Sequence, residues 1–149
     1  METQLSEMLD AHRIAQVCFR YGLALDTQDW AQLATCFESD AVAVYPGIAD
    51  EVVGYDAIET VCRNALTPLT RSQHLMGNVL PILNGGEARV TTYLQAQHVL
   101  EGAPSGANFI IAGCYRDRFV KRSDEWRIAR RELEVWWTEG NPAVVGPLA

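Results

Sequence analysis

The chain of 149 residues is long enough for one domain with a hydrophobic core, and 48% of its residues are hydrophobic against 21% charged. Its formal net charge of −7 argues against binding to nucleic acid or to anionic membranes, which requires basic patches. No segment approaches the roughly 18 apolar residues of a membrane span, and the acidic N-terminus lacks a signal-peptide apolar run, so we expect a cytoplasmic protein.

The first part of the chain has helical periodicity. An amphipathic helix is predicted from Ser6, as its N-cap, to Leu25, because apolar residues recur at near-helical spacing. Asp29 then caps a second helix, with Gln32 in the capping-box position and apolar residues through Phe37.

Two short strands and a third helix follow. The strands are predicted over Ala41–Tyr45 and Glu51–Val53, and the helix over Tyr55–Leu66, with Pro68 just beyond its end. The rest of the chain consists of four long strand-like runs separated by turn signals. These runs are Ser72–Leu83, Glu87–Glu101, Ala107–Lys121 and Glu125–Thr138.

Early helices followed by long antiparallel strands are typical of an α+β fold. Strands of this length must twist and curl, and a curled sheet has a concave face that helices can close. We therefore expect one domain over residues 1–149, with N-terminal helices packed into a strongly curved, mostly antiparallel sheet. Residues 140–149 are predicted to form an apolar C-terminal tail that is too short for an element of its own.

The cysteines and histidines give no metal signal. Cys18, Cys36, Cys62 and Cys114 are widely spaced, which favours buried free thiols over disulfides or zinc ligands. The three histidines lack the spacing of a metal motif, and we expect neither a metal nor another cofactor.

One pair of residues suggests chemistry. Asp26 falls where the first helix ends, a position at which a carboxylate is unfavourable unless a cationic or protic group faces it. His74 lies in the first long strand, and an imidazole there that met Asp26 would be a general base with its orienting acid. The alternatives are a turn residue at Asp26 and a hydrogen-bonded core histidine at His74.

Several motifs, taken together, resemble the SnoaL-like branch of the nuclear-transport-factor-like α+β cone, whose fold is also described as a cystatin-like barrel. Relatives of that type include scytalone dehydratase, hexachlorocyclohexane dehydrochlorinase, ketosteroid isomerase and the small subunit of ring-hydroxylating dioxygenases. The motifs are Tyr21-x4-Asp26-x2-Asp29-Trp30-x2-Leu33-x3-Phe37, Gly54, His74-x3-Asn78, Gly113-x-Tyr115-x-Asp117 and Trp126-Arg127-Ile128.

The resemblance implies roles for particular residues. Asp26 and His74 match the catalytic pair of the dehydratases and the dehydrochlorinase, Tyr21 matches a dehydratase tyrosine, and Arg131 matches a dehydrochlorinase arginine. Substrate-binding roles are implied for His98, Asn78 and Tyr115. The serine and asparagine that scytalone dehydratase uses later in its chain have no clear match here.

Structural roles remain open for three of these residues. Tyr21 lies on an apolar helix stripe, so packing is an alternative to catalysis. Arg131 is interpreted as either catalytic or a solvated or ion-paired strand residue. His98 alternates with apolar neighbours, which is compatible with core packing as well as with substrate binding.

The function implied by the resemblance is a cofactor-independent lyase that eliminates water from a small cyclic or aromatic-type substrate. An isomerase or cyclase of the same fold is one alternative. A small-ligand carrier or a subunit similar to the small subunit of a ring-hydroxylating dioxygenase is another. Relatives commonly form dimers or trimers, and apolar residues near Trp136 and Trp137 fit a homo-oligomer.

Overall fold

A computed structural model describes residues 1–146. The helices are α1 (Glu2–Thr27), α2 (Trp30–Ala34) and α3 (Tyr55–Leu66), and a 3-10 turn covers Pro142–Val145. The strands are β1 (Phe37–Tyr45), β2 (Ala49–Val53), β3 (Arg71–Asn84), β4 (Glu87–Val99), β5 (Asn108–Arg122) and β6 (Glu125–Gly140).

The strands form a curved, unclosed six-stranded sheet in the order β2-β1-β6-β5-β4-β3. Neighbouring strands are antiparallel except β1 and β6, which run parallel. Helix α1 packs against β3 and β6, and α3 packs against β1 and β2. The predicted α+β cone is therefore confirmed. Within residues 1–146, no helix combines the length and the apolar character needed to cross a bilayer.

Three predicted boundaries near the first helices are wrong. Helix α1 begins at Glu2 rather than at Ser6, and it continues to Thr27, where Gln28 adopts a left-handed φ of 54°. Phe37 begins β1 instead of ending the second helix, because it pairs with Ile128 of β6 and is 1% exposed. Burial and sheet pairing thus override the helical spacing of Phe37. The predicted cap is confirmed, since the Asp29 side chain accepts a hydrogen bond from the Gln32 N–H at 3.0 Å.

The start of the C-terminal tail is also more ordered than predicted. Pro142–Val145 form a 3-10 turn, and the Asn141 side chain accepts a hydrogen bond from the Ala143 N–H at 3.1 Å. Val144 is buried and the turn contacts β4 and β5, so burial of this apolar residue stabilises a segment too short for an α-helix. Residues 147–149 of the tail lie outside the described part of the chain.

Candidate active site

Asp26 and His74 lie in contact, which is the arrangement that the resemblance implied. The Asp26 Oδ1 atom is 2.6 Å from Nδ1 of His74, and Oδ2 accepts a second hydrogen bond from the His74 backbone N–H at 2.7 Å. The hydroxyl of Ser72 donates to Oδ1 at 3.1 Å. Both members of the pair are largely enclosed, with 19% of the Asp26 side chain and 6% of the His74 side chain exposed.

These contacts favour an ionised Asp26 and one tautomer of a neutral His74. Burial opposes ionisation of Asp26, but the hydrogen bonds from the His74 ring and backbone outweigh it and hold the pKa of Asp26 below its usual value. The ionised carboxylate can only accept, so Nδ1 of a neutral His74 carries the hydrogen. Its Nε2 atom therefore has a free lone pair, which is the form of imidazole that acts as a base.

Gly22 allows α1 to approach β3 closely enough for this contact. A Cβ atom at Gly22 would lie 2.9 Å from Cγ of Met76 and 3.3 Å from the backbone oxygen of His74. Gly22 precedes Asp26 by one helical turn, so the two residues share a face of α1. The absence of a side chain at Gly22 thus sets the distance between the carboxylate and the imidazole.

We expect Gly22→Val to push α1 away from β3 and break the Asp26–His74 hydrogen bonds, at a cost of about 1–3 kcal/mol in stability from overpacking. The measurement is the NMR resonance of the His74 Nδ1 proton, which a short bond to a carboxylate shifts downfield. Leu23→Val is the matched control because Leu23 is 56% exposed on the same helix. An unchanged resonance in Gly22→Val would contradict this role of Gly22.

His74 faces a narrow cavity between α1, α3 and the concave side of the sheet. Its wall is mostly apolar, and its polar contributors are His74, His98, Tyr21, Tyr45, Tyr115 and Cys62. The cavity has a volume of about 70 Å³. An apolar cavity of about 150 Å³ holds benzene, so a ring-shaped ligand requires some lining side chains to move outward.

His98 is the second imidazole in this cavity. Its ring centroid lies 5.9 Å from that of His74, and its Nδ1 donates to the backbone oxygen of Phe109 at 3.2 Å. Burial first, and then the neighbouring His74, lower the pKa of His98 to about 4. His98 is therefore neutral near pH 7, and its Nε2 is available as an acceptor for a ligand hydroxyl.

This histidine makes stability depend on pH. Between pH 6.5 and about 4, unfolded His98 binds a proton and folded His98 does not, so stability falls as pH falls through that range. The full difference corresponds to about 3 kcal/mol. We expect urea unfolding of His98→Gln to lose about 2 kcal/mol of the wild-type difference between about pH 7 and about pH 4.5, because this window stops short of the folded pKa. Equal pH dependence in the two proteins would contradict the assignment.

Three tyrosines, Tyr21, Tyr45 and Tyr115, line the cavity. The hydroxyls of Tyr21 and Tyr115 are 3.3 Å apart, and that of Tyr45 is buried without a hydrogen-bond partner. Burial raises the pKa of all three phenols well above the usual value, so they are protonated donors. The sequence interpretation missed Tyr45, which it treated only as the end of a strand. An inward tyrosine at the last position of an alternating strand was the available signal.

Arg131 lies behind the cavity wall rather than in it. Its guanidinium is fully buried and binds Asp117 through Nε–Oδ1 at 2.9 Å and Nη2–Oδ2 at 2.6 Å. Of the two alternatives left open by the sequence, the structure places Arg131 in a buried ion pair. Arg131 is not among the residues that line the cavity.

Asn78 is separated from the other predicted site residues. It is exposed, with a left-handed φ of 46°, at an irregularity of β3 between Gly77 and Leu80. It lines a groove on the outer face of the sheet with Tyr93, Trp136 and others. Asn78 is therefore not among the residues that line the cavity at His74. Within residues 1–146, no group of three or more His, Cys, Asp or Glu side chains has the arrangement of a metal site.

Comparison with known proteins gives a family and a set of similar folds. Residues 6–132 match the model of the SnoaL-like domain. The structure of a protein named Putative Scytalone Dehydratase, from Novosphingobium aromaticivorans, is 27% identical with a TM-score of 0.80, over 94% of this chain and 91% of that one. Among curated proteins, none matches the chain.

Two further structures share the fold at lower identity. The Kfla4162 protein from Kribbella flavida has a TM-score of 0.81 at 16% identity, over 87% of this chain and 93% of that one. The hexachlorocyclohexane dehydrochlorinase LinA-type3 from Novosphingobium barchaimii has a TM-score of 0.76 at 13% identity, over 93% and 92%. At these identities the likeness extends to the fold alone.

Proposed function

The chain belongs to the SnoaL-like domain family, and on that premise we propose that it is a cofactor-independent lyase. The reaction we propose is loss of water from a small cyclic or aromatic-type substrate. The name of the Novosphingobium aromaticivorans relative, Putative Scytalone Dehydratase, supports an activity of this kind. The observation that carries the proposal is the contact between Asp26 and Nδ1 of His74, with the His74 ring on the wall of a mostly apolar cavity.

The geometry supports a simple route to the product. Nε2 of His74 removes a proton from a carbon next to a carbonyl, and Asp26 stabilises the imidazolium that forms. The electrons of the broken C–H bond pass to the carbonyl oxygen, which gives an enolate. The enolate then restores the carbonyl as the new double bond forms and the C–O bond to the β-hydroxyl breaks. The imidazolium returns its proton to the departing hydroxide, which leaves as water.

The tyrosines supply the remaining polar contacts. A buried hydroxyl without a partner is costly, and the hydroxyl of Tyr45 would be satisfied by an oxygen of the substrate. His98 is a neutral acceptor that suits a second hydroxyl of the substrate. These contacts would orient the C–H bond toward His74.

The test is a panel of cyclic β-hydroxy ketones and hydroxylated dihydroaromatic compounds, incubated with purified protein in the presence of a chelator. We expect mass spectrometry to detect loss of one water from at least one compound, and no loss with His74→Gln. Compounds that bind in the cavity but remain intact would contradict the lyase proposal.

Isomerisation is the nearest alternative, because the same His74 base could return its proton to another carbon of the substrate. The reaction in D2O separates the two. An isomerase product keeps every oxygen and gains deuterium at a new carbon, whereas a dehydratase product has lost one oxygen.

The homo-oligomer remains a proposal of its own. Trp136 and Trp137 are 47% and 44% exposed on the outer sheet face, with Tyr93 and Leu75 beside them. We propose that this face associates with a second copy of the chain. Light scattering after size exclusion should give a dimer or trimer for the wild type and a monomer for Trp136→Glu, and a wild-type monomer would contradict association.

A further inference from the structure

Arg131 and Asp117 form a charged pair enclosed by protein directly behind two cavity tyrosines. The guanidinium carbon of Arg131 lies 4.1 Å from the ring centroid of Tyr21 and 3.9 Å from that of Tyr115. Two of its nitrogens bind Asp117, and the third, Nη1, is buried without a hydrogen-bond acceptor. The positive end of the pair is thus turned toward the tyrosines.

Stability alone is a weak reason for this arrangement. Removing two charges from water is costly, and well-packed apolar residues often replace a buried ion pair without loss of stability. The pair is, however, well suited to act on the two rings that it touches. A cation against a phenol ring withdraws electron density and makes its hydroxyl a stronger donor.

We propose that Arg131 is a positioning residue that holds Tyr21 and Tyr115 as a paired hydroxyl donor for a negatively charged ligand oxygen. The ligand class that follows is a planar phenolate, or the enolate of a cyclic ketone, which has the same charged oxygen on a flat ring. For the enolate, the inference rests on the proposed lyase function and deepens it, since proton abstraction by His74 would place that charge on the oxygen.

The geometry of the two hydroxyls fits this role. Their separation of 3.3 Å allows one ligand oxygen, at about 2.7 Å from each, to accept from both. Their rings are nearly perpendicular, at 82°, and each is in contact with the guanidinium. Any movement of Arg131 would therefore displace both donors together.

The experiment measures the binding of substituted phenols of graded acidity, each beside its neutral methyl ether. In the wild type, we expect affinity for the phenols to rise with their acidity, because hydrogen bonds to a charged oxygen are stronger than those to a neutral one. The variant is Asp117→Leu with Arg131→Met, which removes both charges together and leaves neither one unpaired in the core. Arg130→Met, at a partly exposed neighbouring position, is the matched control.

In the double variant, we expect affinity for the most acidic phenols to fall about tenfold to a hundredfold, with the methyl ethers within about twofold of wild type. Tyr21→Phe and Tyr115→Phe should each flatten the dependence on acidity. Equal loss for phenols and ethers would mean that the pair only supports the fold, and it would overturn the inference. An unchanged dependence on acidity in the double variant, or none in the wild type, would overturn it as well.

These outcomes are independent of turnover. Failure of the phenol experiment would leave the Asp26–His74 reaction standing, because that reaction is tested by loss of water from substrate. Failure to find dehydration would leave the phenol result standing as a property of the cavity.

Discussion

Asp26→Asn and His74→Gln should each lower the rate of dehydration by about a hundredfold to ten-thousandfold, the range expected for loss of a positioned general base. His74→Gln removes the imidazole. Asp26→Asn keeps the shape of the side chain but presents an amide where His74 Nδ1 and the His74 backbone N–H require a carboxylate. The favoured tautomer of His74 is then lost, and no anion stabilises the imidazolium.

The effects of the two substitutions on the rate of dehydration should not be additive. If Asp26 acts only through His74, then the double variant should be no slower than His74→Gln alone, which a thermodynamic cycle of initial rates would measure. Nitrogen NMR of His74 should also show Nδ1 protonated in the wild type and a changed tautomer in Asp26→Asn. Ser72→Ala is the matched control, since it removes only the hydroxyl contact to Oδ1 of Asp26. Full activity in either single variant would exclude the dyad mechanism.

The sequence predicted elements whose local pattern and tertiary environment agree. Helix α3 has the predicted limits, Tyr55–Leu66, because its apolar stripe and its N- and C-terminal signals coincide. The long strands were predicted within a few residues because turn signals separate the alternating runs. The prediction that Phe37 belongs to the second helix was wrong because Phe37 pairs with β6, some 90 residues further along the chain. No local sequence signal indicates that pairing.

The residues of the candidate site also differ in how far the sequence could predict their positions. The meeting of Asp26 and His74 was predictable only through the resemblance, because it depends on how closely α1 approaches β3 at Gly22. Asn78 illustrates the opposite case. Simple alternation from His74 would give it the same face, but the irregularity of β3 after Gly77 changes the parity. Bulges of this kind have no reliable signature in one sequence.

Asp117 and Arg131 show what strand register decides. The two residues are paired across β5 and β6, in a ladder with register shifts on either side of them. A shift of one residue would point either side chain to the outer face. The sequence could therefore offer Arg131 as catalytic or ion-paired, and only the register assigns its partner.

The stability of Arg131→Met follows from that pairing. The substitution leaves the Asp117 carboxylate fully enclosed without its two hydrogen bonds, and we expect a loss of about 3–5 kcal/mol and a melting temperature lower by about 10 °C. Arg130→Met should cost less than about 1 kcal/mol, because its ion pairs with Glu51 and Glu132 are exposed to solvent.

The sign of the pH effect distinguishes an unpaired buried charge from a simple packing defect. Burial already raises the pKa of Asp117 above its usual value, against the opposing effect of Arg131. Without Arg131, folded Asp117 should hold its proton to higher pH than unfolded Asp117, so the variant should lose stability as pH rises from about 4 toward 7. Adding Asp117→Leu should restore most of the loss and remove this pH dependence. If Arg131→Met alone loses the same amount of stability at about pH 4 and about pH 7, the loss is a packing defect. That result would contradict the view that Arg131 compensates the charge of Asp117.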